Sequence, residues 1–176
     1  MVWINIISKF IKAFRSGESP GKIAAGFCFG SLIGLMPFWT LQGVVLFALL
    51  ILINVNLAAG TLAILLASLF AYLLDPLFHS LGFYILTQIN SLQGTWEALY
   101  NTPFGPLTRF NNTVVMGSFV AGLILTLPFY FGMKKLVVLY REKLEAPVKQ
   151  AKIVQAITGS KLFQWYEKIR DVGGEL

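Results

Sequence analysis

Residues 19–42 decide the fold, and they read SPGKIAAGFCFGSLIGLMPFWTLQ. Ser19 is placed as an N-cap and Pro20 as the first helical residue, a combination typical of helix starts. Pro37 then interrupts the apolar run, because proline lacks the backbone N–H that an inner helical turn needs. The stretch predicts a helix that begins at Pro20 and ends just before Pro37.

This helix lies in a long stretch without charge, since residues 23–74 contain no Lys, Arg, Asp or Glu. A single helix of that length would extend far beyond the roughly 30 Å hydrocarbon core of a bilayer, so the chain must fold back. Two arrangements stay open. A re-entrant hairpin has arms over residues 20–36 and 41–53 and returns to the same face, whereas the alternative makes three short crossings. The short arms favour re-entry.

The composition indicates a membrane protein. Hydrophobic residues make up 56% of the chain and charged residues 12%, whereas soluble domains carry about 25% charged residues. The predicted fold class is all-α: a polytopic membrane protein with short, broken or re-entrant helices, its membrane domain covering residues 19–133. Three further helices are expected over residues 57–74, 76–89 and 113–133.

Basic residues indicate the topology. All but Arg109 of the 14 Lys and Arg residues lie before the uncharged stretch or after the last expected span. Because Lys and Arg concentrate on the cytoplasmic side, both termini are expected in the cytoplasm and residues 90–112 outside. Residues 1–18 predict a basic amphipathic helix in the headgroup plane, or one packed on the protein. Residues 134–176 predict a helical cytoplasmic tail.

Small residues form two stripes at helical spacing. The first helix carries Gly26, Gly30 and Gly34. The later helix carries Ala59, Ala63, Ala67 and Ala71. Small side chains at every fourth position let the backbones of membrane helices approach closely. We therefore expect the two stripes to face each other.

Polar side chains are few between the charged ends, and they include Gln42, Asn54, Asp75 and His79. Such groups usually cap a broken helix, bond between helices or line a polar path. Gln42 and Asp75 mark expected breaks. Asp75 is interpreted as the N-cap of a helix beginning at Pro76, and the alternative is a proton or cation site with His79 one turn on.

No catalytic constellation stands out. The chain has one His and one Cys, too few for a zinc cluster of the structural type. It also lacks the glycine-rich phosphate and dinucleotide motifs. We expect no enzyme activity, no cofactor and no metal. Nucleic-acid binding is not expected either, because the basic residues are explained by topology.

The run SPGKIAAGFCFGSLIGLMPFWTLQ resembles the opening motif of the bacterial membrane family called domain of unknown function 2062. Asp75-Pro76-Leu77 is similar to that family's Asn-Pro-Leu step, with Asp in place of Asn. Because Asp can carry a charge and Asn cannot, the substitution puts an uncharged hydrogen-bonding role of this position in doubt. The resemblance covers about residues 16–90. It implies the inner membrane of bacteria that have an outer membrane. It also implies a larger envelope partner, similar to bridge-like lipid-transfer proteins.

Two functional hypotheses follow. In the first, the chain is a non-catalytic inner-membrane component of an envelope or lipid-transfer system, in contact with membrane lipid, that anchors or feeds the larger partner. In the second, it is a small secondary transporter or lipid flippase whose breaks at Pro37 and Pro76 line a path. A homo-oligomer would help the second, because so few crossings enclose little space.

Overall fold

The computed structural model describes residues 17–144, and every regular element in that range is helical. The helices are α1 (Pro20–Leu35), α2 (Leu41–Leu52), α3 (Leu57–Phe83), α4 (Gln93–Tyr100), α5 (Gly105–Thr108) and α6 (Thr113–Leu139). Wider π-helical turns extend α3 over Tyr84–Gln88 and α6 over Tyr140–Leu144. The amphipathic helix expected over residues 1–18 lies outside the described residues, apart from the non-helical Gly17 and Glu18. The tail beyond Leu144 lies outside them too.

Polar side chains cap the starts of the four longest helices. Ser19 caps α1, Thr40 caps α2, Asn56 caps α3 and Asn112 caps α6. In each case the side-chain oxygen accepts a hydrogen bond from a backbone N–H of the first turn, which no helical carbonyl would otherwise satisfy. The tightest of these joins the Asn56 Oδ1 to the Ala59 N–H at 2.6 Å. The polar residues of this apolar chain thus set where its helices begin.

Three helices, α1, α3 and α6, form the core. Helices α1 and α3 run parallel, since Gly26 lies against Asn56 and Gly34 against Ile64. Helix α6 runs antiparallel to α3, since Gly82 lies against Thr113.

One apolar cluster joins the start of α1 to the end of α6 through Ile23, Ala59, Val137 and Tyr140. A second cluster, at the other end of α1, contains Leu35, Ala67 and Phe78. The buried side chains therefore lie along the whole length of α1, between it and the two long helices.

Helix α2 lies outside this core. Only Gly43 and Leu50 are buried among its residues, and Leu52 is 80% exposed. Leu50 packs on Gly60 of α3, where an added Cβ would lie 2.7 Å from the Leu50 Cδ1. An apolar helix with so little buried surface is typical of one that faces lipid.

The structure corrects the helix break predicted at Asp75 and Pro76. Helix α3 is continuous from Leu57 to Phe83 with Pro76 inside it, so Asp75 caps no helix. Proline is tolerated inside membrane-type helices when other groups satisfy the freed backbone atoms. The backbone atom freed here is the Tyr72 carbonyl, four residues before Pro76, whereas the Ser80 hydroxyl donates to the carbonyl of Pro76 itself at 2.9 Å. The separate helices predicted over residues 57–74 and 76–89 were wrong.

The end of the last helix differs as well. Helix α6 was expected to stop before Lys134, but it continues to Leu139. Lysine is a good helix former, so the two lysines end the apolar stretch and not the helix. Two helices are long and apolar enough to span a membrane, Leu57–Gln88 with 32 residues and Thr113–Lys143 with 31. Helices α1 and α2, with 16 and 12 residues, are shorter.

Candidate functional site

The glycine stripe of α1 lies directly against α3. A Cβ added at Gly30 would collide with the Gly60 carbonyl and come within 2.9 Å of the Ala63 Cβ. One added at Gly34 would come within 2.8 Å of the Ala67 Cβ. Real Cβ atoms do not approach this closely, so this part of α1 tolerates only glycine.

The alanine stripe is divided between two neighbours. Ala63 and Ala67 face α1, whereas Ala59 also packs in the cluster with Val137 of α6. Ala71 is half-buried in the second cluster. Gly26 lies against the backbone of Asn56 and not against an alanine. The structure therefore brings the middle of the two stripes together, whereas residues at their ends also contact other parts of the chain.

Hydrogen bonds tie the ends of the hairpin formed by α1 and α2. The Lys22 ammonium donates to the Asn54 Oδ1 at 2.8 Å, and the Asn56 backbone N–H donates to the Lys22 carbonyl at 3.1 Å. The start of α1, the end of α2 and the start of α3 therefore meet at one end of the molecule. Asn54 acts as a link between helices.

The turn of the hairpin meets the segment between α3 and α6. Thr40 donates to the carbonyl of Pro37 at 3.2 Å, and the Gln42 Nε2 donates to the carbonyl of Thr108 at 3.0 Å. The Gln42 Oε1 is buried, and it has no hydrogen-bond partner in the described range. Trp39 projects from this turn and is 76% exposed.

Asp75 and His79 do not form a site with a third ligand. His79 Nδ1 lies 2.6 Å from the Thr113 hydroxyl and so links α3 to α6. Asp75 is half-buried one turn before it. Within residues 17–144, no group of three or more His, Cys, Asp or Glu side chains is placed to hold a metal ion.

Sequence reasoning missed a second close contact of backbones. Gly82 of α3 and Gly117 of α6 face each other, and a Cβ added at either would lie 2.9 Å from the backbone nitrogen of the other. Single glycines give no four-residue repeat, so spacing alone did not single them out. Gly60 was missed for the same reason.

An apolar groove of about 450 Å³ opens between α1, α2 and α6. Its lining includes Ala25, Cys28, Leu46 and Tyr130. A second and shallower concavity lies beside Trp96, whose ring centroid is 5.9 Å from that of Phe110. Neither concavity was expected, because each depends on how separate helices come together.

Comparison with known proteins places the chain in a family. The family model described as "Uncharacterized protein conserved in bacteria (DUF2062)" matches residues 6–145. An uncharacterized protein of Treponema pallidum (strain Nichols) is 29% identical over 150 residues, which cover 85% of this chain and 92% of that protein. No solved structure matches the chain. Since the family model spans most of its length, the chain belongs to the bacterial DUF2062 family.

Proposed function

We propose that the chain is a non-catalytic component of the bacterial inner membrane that anchors or feeds a larger envelope partner. The proposal rests on the hydrogen bonds that the polar side chains form. Asn54 and Asn56 hold helix ends, Gln42 reaches Thr108, and His79 reaches Thr113. Intramembrane polar groups are costly, and here their hydrogen bonds build a scaffold.

The transporter or flippase alternative loses one of its supports. It needed paired breaks whose helix ends point at a substrate near the midplane. Helix α3 is continuous through Pro76, so the hairpin turn near Pro37 is the one predicted break that the described residues contain. The contact of Gly30 with α3 and that of Gly82 with α6 also leave no space between these pairs of helices at those positions.

The distribution of charge supports an orientation. Lys22 lies at the start of α1, close to the end of α6, where the Arg141 guanidinium donates to the Glu18 carbonyl at 2.8 Å. Lys134 and Lys135 lie within two turns of this end, whereas Arg109 lies beyond the opposite end of α6. By the positive-inside rule the first end is cytoplasmic. The segment of residues 90–112 then faces the periplasm.

The Gln42–Thr108 hydrogen bond also bears on the hairpin. Thr108 belongs to the segment assigned to the periplasm, so the turn of the hairpin reaches that segment. Helix α1 is about 24 Å long at 1.5 Å per residue, and the five residues of the turn add to this. We therefore favour the arrangement of three crossings, in which α1 and α2 both cross, over the re-entrant one.

Reporter fusions test the orientation. A reporter active only in the periplasm should be active when inserted after Thr102 and inactive at Leu176, because the basic end is retained in the cytoplasm. A Trp39→Cys variant in a Cys28→Ala background should react with a membrane-impermeant thiol reagent added from outside. Periplasmic activity at Leu176 would contradict the orientation, and a thiol at position 39 that is protected from outside would contradict the three crossings.

A pull-down tests the partnership. Between α4 and α6 the chain exposes apolar side chains, with Phe104 67% and Leu107 57% exposed. Truncating both to alanine should remove a stoichiometric envelope partner that the tagged wild-type chain retains in mild detergent, because apolar anchors dominate such interfaces. The control is a double alanine variant of Ile124 and Phe131, which are 66% and 64% exposed on α6. A wild-type chain recovered alone as a homo-oligomer would favour the transporter hypothesis.

A further inference from the structure

The apolar groove between α1, α2 and α6 has a defined direction. Leu32 of α1 lies against Gly122 of α6 at its inner end. Further along, the Cys28 thiol donates to the Thr126 carbonyl at 3.4 Å. At its other end Tyr130 approaches Gly21, where an added Cβ would lie 3.3 Å from the phenol oxygen. The groove therefore runs parallel to the helix axes and ends at the basic end of the molecule.

Its lining suits a hydrocarbon chain. The side chains are almost all apolar, and Leu46 of α2 forms the side away from the core. The volume of about 450 Å³ falls within the roughly 300–1,000 Å³ of small-molecule sites. Polar ligands would leave their hydrogen-bonding groups unsatisfied in such a groove, at a cost in free energy.

Positive charge gathers where the groove ends. Lys22 precedes the lining residue Ala25 by three positions, and Lys134 follows the lining residue Tyr130 by four. Residues at these spacings share a helix face, so both lysines lie on the groove side of their helices, one turn beyond it, where the Lys22 ammonium also donates to the Asn54 Oδ1.

The other charges at this end keep the balance positive. The described basic residues there are Lys22, Lys134, Lys135, Arg141 and Lys143. The described acidic residues there are Glu18 and Glu142. The excess of basic over acidic side chains favours a negatively charged group beside the groove.

We propose that this groove binds one acyl chain of an anionic phospholipid, with the lipid phosphate beside Lys134 and Lys22. The inference rests on the membrane placement and orientation proposed above, and it adds a ligand class to them. The lipid belongs to the cytoplasmic leaflet. Its tail covers the lining residues Leu123 and Leu127, which are 49% and 67% exposed, and its head group is held by charge.

Native mass spectrometry of the full chain in mild detergent tests the proposal. Phosphatidylglycerol and phosphatidylcholine with identical acyl chains are titrated separately. We expect one equivalent of phosphatidylglycerol to bind at least about tenfold more tightly than phosphatidylcholine. Ala25→Phe fills the groove and should weaken binding of both lipids. The matched control Ala48→Phe, on the exposed face of α2, should leave binding unchanged.

Two further variants separate charge from shape and from misfolding. Lys134→Gln should reduce the preference for phosphatidylglycerol, whereas Lys135→Gln, on a different face of α6, should retain it. Leu46→Trp fills the groove from α2, outside the core, and should act like Ala25→Phe even if that variant unfolds. Equal affinity of the wild-type chain for both lipids would overturn the proposal. So would a protein dimer that the filling variants dissociate, since a second copy would then occupy the groove.

These results are independent of the proposed partnership. The pull-down depends on Phe104 and Leu107, which lie at the opposite end of the molecule from Lys134. If the wild-type chain retains its partner but shows no preference for phosphatidylglycerol, the lipid proposal alone is rejected. If the wild-type chain prefers phosphatidylglycerol but no partner is recovered in the pull-down, the anchoring role alone is rejected.

Discussion

Gly30→Leu is expected to prevent the chain from folding, whereas Gly132→Leu leaves it folded. At Gly30 a Cβ already collides with the Gly60 carbonyl of α3, and leucine adds three more carbon atoms at that place. Overpacking a well-packed core costs about 1–3 kcal/mol when flexible side chains can yield. Here the obstacle is backbone, so the helices themselves must separate.

The comparison with Gly132 isolates packing from helix propensity. Both glycines lie inside helices, but nothing lies within 4 Å of a Cβ added at Gly132. Leucine there should even stabilise α6, because glycine costs roughly 0.5–1 kcal/mol in a helix interior. The measurement is the yield of monodisperse protein in mild detergent, together with its thermal unfolding. Equal yields of the two variants would show that α1 and α3 do not meet at Gly30.

Leu35→Ala is a less suitable reference for this comparison. The structure buries Leu35 to 5% exposure in a cluster with Ala67 and Phe78. Truncating a buried leucine costs about 2–5 kcal/mol. Gly132 is the better control because its surroundings are open.

The sequence predicted the hairpin well because the signals there are local. Ser19 and Pro20 mark a helix start by their own chemistry, and Pro37 marks a helix end through its missing N–H. Helices α1 and α2 fall within one residue of the ranges that these signals indicate. The same logic failed at Pro76, since whether a proline ends a helix depends on the groups around it.

The candidate site was harder to predict because its features join distant parts of the chain. The four-residue spacing of Gly26, Gly30 and Gly34 indicated a packing surface, but no spacing links Gln42 to Thr108. The polar residues were expected at breaks or along a path. Their partners became visible only with the fold, as did the groove, which takes its lining from three helices.

Gly82→Ala and Gly117→Ala are each expected to destabilise the fold, although alanine is the better helix former. A Cβ at Gly82 would collide with the Thr113 carbonyl, and one at Gly117 with the Phe78 carbonyl. Separating α3 from α6 here would also stretch the 2.6 Å contact of His79 with Thr113. The gain in helix propensity is roughly 0.5–1 kcal/mol, whereas overpacking costs roughly 1–3 kcal/mol. The net effect is therefore a loss of stability.

A double-variant cycle shows whether the two glycines share one contact. If they do, the variant with both alanines should lose less stability than the two single losses together, because the first substitution already moves the helices apart. Gly94→Ala serves as the control, since nothing lies within 4 Å of a Cβ added there. Thermal unfolding in one detergent gives the four stabilities of the cycle and that of the control. Fully additive losses would mean that each glycine relieves a separate collision, and unchanged stabilities would mean that α3 and α6 pack differently at this end.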